Sequence, residues 1–140
     1  GLKYDTPNEN VLDPGASAKS EYGEWVFYGT QCILEIGSGD TTCDETQTDL
    51  MVTLPHIRKE ICVEINNLSG VSKVAGDHPQ ENYENDNVGF VGSMAATLVD
   101  PEIGEGVSGV NLVRHATGCY SDNAGAWANS YIFYHVILVR

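Results

Sequence analysis

The strongest hydrophobic pattern in the chain is a recurrence through its middle. Leu50, Leu54, Ile57, Ile61, Ile65 and Leu68 follow one another at intervals of 4, 3, 4, 4 and 3 residues, the spacing of one helical face. The pattern predicts a helix over about 55–68. Pro55 suits its first position, where a missing N–H costs nothing, and Gly70 supplies the left-handed stop. Residues 48–54 then read as a turn leading into the helix. His56, Lys59, Glu60, Asn66 and Asn67 fall on the opposite side and should face water. Cys62, on the flank of the apolar stripe, can reach a strand packed beside the helix.

Elsewhere the pattern is that of strands. Tyr131–Val139 is rich in β-branched and aromatic residues and apolar on both pleat faces, so it reads as a central strand covered on both sides. Two short runs, 24–28 and 31–36, flank Gly29-Thr30 and predict a hairpin. Val110–His115 reads as a further strand, and 89–99 is a short apolar segment of either type. Residues 1–23, polar and punctuated by Pro7, Pro14 and Gly15, read as an extended lead-in or an arm lying on the domain, with 24–140 as one globular domain. The connection 72–92 is long and polar enough to count as a surface loop with a role of its own.

Composition narrows this. With 140 residues and 41% hydrophobic content the chain has room for one compact core, and 15 Gly with 5 Pro predict many turns. The formal charge of −13 opposes direct binding to nucleic acid or to anionic lipid. No stretch reaches the roughly 18–20 apolar residues of a membrane span, and residues 1–10 lack the layout of a secretion signal. Cys32, Cys43, Cys62 and Cys119 contain no C-x-x-C pair, which favours two disulfides in an oxidising compartment over a structural zinc site. Three connectivities remain open.

Several residues carry a resemblance. Asp49-Leu50, then Leu54-Pro55, then Cys62, Ile65 and Asn66, and a terminal aromatic strand with Tyr134 that ends in Arg140, together with Gly118-Cys119-Tyr120, resemble the globular domain of type IV pilin-like and type II secretion pseudopilin-like proteins of Gram-negative bacteria. The resemblance covers roughly 24–70 and 118–140. It implies an α+β fold, one main helix packed on an antiparallel sheet, loop-rich and disulfide-stapled. It also implies a non-catalytic structural subunit of a pilus or secretion pseudopilus, in the periplasm or on the cell surface. Other pilin or pseudopilin subunits would be its partners, with no small-molecule substrate. In such proteins an N-terminal hydrophobic helix anchors the subunit in the inner membrane; the 140 residues do not contain it, and 1–23 would be where that helix hands over to the head. By the same analogy, and because the first pair is close in sequence, the bridges expected are Cys32–Cys43 and Cys62–Cys119. The alternative reading is an extracellular adhesion module that recognises a glycan or protein through its surface loops.

Candidate chemistry is sparse. His56 and Glu60, four apart, would share a helical face as a zinc or nickel site requires, but no third ligand accompanies them. The acidic runs Asp40, Asp44, Glu45 and Asp77, Glu81, Glu84, Asp86 offer calcium hard oxygen ligands, although neither has the glycine of an EF-hand loop; no other cofactor is expected. Ser121, Asp122 and His115 are the raw material of a hydrolytic triad without a nucleophile elbow. His135 reads as a sheet residue. Trp25, Trp127, Tyr120 and Tyr131 read first as core and sheet packing and second as a sugar-stacking platform.

Overall fold

The computed structural model describes residues 10–37, 48–71, 79–81, 102–104, 109–123 and 127–139. Among these residues the frame is a six-stranded sheet with one α-helix on one face. The strands are β1 (Val26–Ile33), β2 (Asp49–Ile57), β3 (Gln80–Glu81), β4 (Glu102–Ile103), β5 (Thr117–Asp122) and β6 (Ser130–Leu138), and α1 is Lys59–Ser69. Their order across the sheet is β3-β5-β6-β2-β1-β4. The four longer strands pair antiparallel, whereas the two-residue edges β3 and β4 pair parallel to β5 and β1.

The residues predicted as a hairpin form one strand. β1 runs through Gly29-Thr30, and Tyr28 pairs with Met51 while Gln31 pairs with Asp49. Three steps on β1 thus oppose two on β2, so the glycine marks a bulge and not a turn, the other role of Gly inside a strand pattern.

A second bulge corrects the start of the helix. Residues 49–57 are strand, and the register shifts between Leu54 and Ile57. In an unbroken strand residues three apart point to opposite faces; the inserted residue brings Leu54 and Ile57 to the same side. That spacing mimics a helical period. Pro55 is tolerated because a bulge frees it from donating to the ladder. The helix opens with Arg58 as N-cap and the first intrahelical bond from Cys62 N to Arg58 O at 3.0 Å. It ends where expected, on Gly70 at φ 75°, with Val71 N bonded to Asn66 O.

In place of the strand expected over 110–115, Gly109–Leu112 is a 3-10 turn and Arg114 takes φ 70°. The chain pivots there, with Arg114 N bonded to Leu34 O at 3.0 Å, before entering β5. β6 does lie inside the sheet, between β5 and β2. Its cover on both faces is limited to its first half, because His135, Ile137, Leu138 and Val139 are exposed.

Register divides the side chains between two faces. Tyr28, Met51 and Val136 share a row, as do Tyr120 and Ile132. With Tyr134, Trp127, Ile33, Ile103, Leu112 and Val71 they form the larger core. Gly118 sits under Tyr134, whose Oη would lie 2.9 Å from an added Cβ, so only glycine permits the ring to cross the strand there. On the opposite face Leu54, Phe133 and Cys119 make a row beneath α1. Leu12, Ile57, Ile61 and Ile65 complete this smaller core.

Candidate functional site

The polar and covalent chemistry of the described residues gathers where α1, the β2 bulge and the lead-in meet the β5–β6 hairpin. Cys62 and Cys119 are joined, with Cα atoms 5.3 Å apart. One turn further along α1, Asn66 Nδ2 donates to Cys119 O at 2.8 Å, and Cys119 N donates to Asn66 Oδ1 at 2.8 Å. The amide side chain therefore pairs with one strand residue as a neighbouring strand would. Covalent bond and hydrogen bonds converge on the same residue, and both partners are buried.

This junction sets the roll of the helix. Asn66, expected in water, is buried, and Leu68, expected in the core, is 80% exposed. The buried line runs through Cys62 and Asn66 with Ile61 and Ile65 beside it. The apolar spacing alone misplaced the face by about one residue, because the cystine and the amide, not the last leucine, decide which side meets the sheet.

The second half of the junction is centred on His56. Expected on an exposed helical face beside Glu60, it is instead fully buried in the β2 bulge at φ 62°, while Glu60 is exposed on α1. No metal pair forms. Both ring nitrogens are occupied: Nε2 lies 2.9 Å from the Ser20 carbonyl and Nδ1 lies 2.8 Å from Ser130 Oγ. A carbonyl only accepts, so Nε2 carries the proton and Nδ1 accepts from the Ser130 hydroxyl. Lys19 Nζ donates to the same Oγ at 3.0 Å and to Ala128 O at 2.8 Å. Burial lowers the His56 pKa from 6.5; the Ser20 carbonyl raises it, Lys19 lowers it and Asp13 raises it, in decreasing order of weight. The neutral ring is the form that fits.

The same arrangement ties down the lead-in. Asp13 N bonds His56 O at 2.8 Å, Arg58 N bonds Val11 O at 2.8 Å, and Arg58 Nε donates to Leu12 O at 3.0 Å. Trp127 Nε1 donates to Glu21 Oε2 at 2.6 Å, and the Tyr22 ring stacks on His56. From residue 11 onward the arm lies against the body at every few residues. Sequence reading missed Lys19, Ser130 and Glu21 altogether. A signal existed for Ser130: it shares strand parity with Ile132, Tyr134 and Val136, and a hydroxyl at an inward position asks for a buried partner.

The hydrolytic constellation does not assemble. Ser121 pairs with Tyr131 on the helix face and Asp122 with Ser130 on the other. His115 lies before β5 begins at Thr117, with its carbonyl accepting from Tyr134 Oη. Trp127 and Tyr120 are buried in the larger core, Trp25 meets Phe133 edge-on at 5.8 Å, and Tyr131 packs in the smaller core, so no flat four-ring platform exists. His135 is exposed on β6 with its Nδ1 2.6 Å from Thr117 Oγ1. Cys32 is disulfide-bonded; Cys43 lies outside the described residues, as do Asp40, Asp44, Glu45, Asp77, Glu84, Asp86, Arg140 and most of 72–92. Glu81 is described only as backbone of β3. Among the described residues no group of three potential metal ligands converges, and no helix is long and apolar enough to cross a membrane. No protein-family model, no curated protein and no solved structure matches the chain.

Proposed function

We propose that this chain is the head of a minor pilin or pseudopilin, a non-catalytic subunit displayed in the periplasm or on the cell surface and assembled with other subunits of its kind. One observation carries the reading. Four of the residues on which the sequence resemblance rests, Asp49, Cys62, Asn66 and Tyr134, knit elements together. Asp49 is buried and its Oδ2 accepts from Ile33 N at 3.4 Å. Cys62 and Asn66 bolt α1 to β5, and Tyr134 Oη donates to the His115 carbonyl at 2.8 Å. These groups are spent on rigidity, which suits a knob that transmits load within a filament.

The test is genetic and biochemical together. The coding sequence upstream of Gly1 is expected to encode a short basic leader followed by an apolar segment of about 20 residues, the length of one spanning helix. The tagged full-length protein should then co-purify with sheared filaments or with the secretion apparatus. An ordinary cleaved secretion signal, together with saturable glycan binding by the isolated domain, would replace this reading with that of a free adhesion module.

A further inference from the structure

Three segments distant in sequence share one hydroxyl. Ser130 Oγ donates to His56 Nδ1 of β2 and accepts from Lys19 Nζ of the lead-in. All hydrogen-bonding positions of the imidazole are used in its neutral form. A proton added at Nδ1 would remove the acceptor that Ser130 uses, and would set a second cation beside Lys19 around the same oxygen. The site has little room to adjust: His56 is fully buried and its backbone is left-handed at φ 62°, a conformation that persists only where the surroundings hold it.

We infer that His56, Ser130 and Lys19 form an acid-released clasp that holds residues 11–24 on the body of the domain and lets them detach as a unit when the medium turns mildly acidic.

The groups around the imidazole differ in sign: burial, the largest influence, and Lys19 oppose protonation, while the Ser20 carbonyl and Asp13 favour it. From the lead-in, Lys19 opposes protonation and Asp13 favours it more weakly, while Glu21 is engaged by Trp127. From the β2–α1 corner, Arg58 adds a further cation, bonded to Leu12 O. From β6 comes only the neutral Ser130, with Asp122 of β5 opposite it in the register. Burial dominates, and it acts against the charged ring. When the arm lifts, the ring reaches water and takes its proton at the ordinary histidine value near 6.5, so protons bind the open state better and pull the equilibrium toward it. What leaves with the arm is specific: the Asp13 N and Arg58 N bonds to the corner, the Glu21 cover on Trp127 and the Leu12 bridge to Ile57. The β5–β6 pairing and the cystine stay.

Amide hydrogen exchange followed by NMR from pH 7.5 to 5.0, corrected for the intrinsic pH dependence of exchange, tests this on the intact domain. The opening constant read at the Asp13 and Arg58 amides should rise by up to tenfold per pH unit below 6.5, while the Val136 amide, bonded to Ala116 O, holds its protection. Nitrogen shifts of His56 at pH 7.5 should show the proton on Nε2. The substitution His56→Asn, whose asparagine tolerates a left-handed backbone, should flatten the pH response. Lys19→Met should lower protection of the arm at neutral pH and make its pH response shallower, a pairing that a merely weakened contact does not give. Parallel loss at Val136, protection of Asp13 and Arg58 unchanged down to pH 5.0, or an undiminished pH slope in both variants would overturn the inference.

Discussion

The two faces of the sheet are held by different physics. The face bearing Tyr28, Tyr120, Trp127 and Tyr134 is closed by large buried side chains with aromatic edges in contact, as where Tyr28 meets Trp127 at 5.8 Å and 76°. The face beneath α1 has a smaller apolar cluster, several of whose members are only partly buried, and it is secured by a disulfide and an amide pair. Area carries the first; covalent and directional bonds carry the second. A short helix that lays only part of one face on a sheet buries too little to hold its own orientation, so the chain fixes that orientation chemically.

This contrast predicts a ranking of damage. Trp127→Ala empties the largest buried side chain and strips Glu21 of its donor, and should cost about 4–5 kcal/mol in urea unfolding. Removing the Cys62–Cys119 bridge, as the double alanine variant, frees a loop whose ends are 57 residues apart; the chain-entropy estimate is about 4 kcal/mol. We expect about 3 kcal/mol, because Asn66 still ties the helix to Cys119. Should the bridge prove costlier than the tryptophan, the helix face and not the aromatic face is the main support of the fold.

Asn66 comes next. Asn66→Leu keeps the bulk but leaves the Cys119 N–H and C=O buried without their partners, at about 2 kcal/mol. In a double-mutant cycle with the disulfide the two losses should not add, since each holds the same strand residue against the same helix. Simple additivity would mean that the amide and the cystine act on separate elements.

The same division explains what could be read from the sequence. The helix, its Gly70 stop and the central place of the terminal strand were legible, because each rests on a local pattern: period 3.6, glycine chemistry, β-branched density. The sulfur link from α1 to the region before that strand came only through the resemblance, since cysteine spacing leaves three connectivities open. The bulges at 28–31 and 54–57 were not legible. An extra residue shifts parity, turning a strand with a proline into an apparent helical period and a continuous strand into an apparent hairpin. The roll of α1 was equally hidden, since Asn66 looks like a solvent residue until Cys119 is placed beside it. The clasp around His56 joins positions 19, 56 and 130, a coincidence in space that no local window contains.

Acid should separate the lead-in junction from the rest at a smaller cost. The His56 pKa lies below its ordinary 6.5, chiefly through burial, so the unfolded chain binds a proton that the folded chain refuses. Stability contributed by the neutral ring is complete above 6.5 and is lost as pH falls from there to the folded-state value, at no more than about 1.4 kcal/mol per unit. Urea melts at pH 7.5 and 5.5, taken as the difference between the native protein and His56→Asn, isolate this contribution from the many carboxylates. A difference of the opposite sign would mean that the folded site prefers the charged ring.

The smallest expected effect discriminates most sharply between pattern and structure. Read from periodicity, Leu68 closes the apolar stripe of α1, and Leu68→Lys would bury a cation at a cost of several kcal/mol. In the structure Leu68 is 80% exposed, the lysine head would stand in water, and leucine and lysine have nearly equal helix propensity. Leu68→Lys should therefore change stability by less than about 0.5 kcal/mol and leave the far-ultraviolet spectrum unaltered. Set beside Asn66→Leu, which adds an apolar residue and destabilises, it gives a pair whose order of damage is the reverse of the one the hydrophobic reading expects. That reversal occurs only if the helix is rolled onto its Cys62–Asn66 edge, so a costly Leu68→Lys with a harmless Asn66→Leu would return the helix to the orientation its leucines and isoleucines suggest.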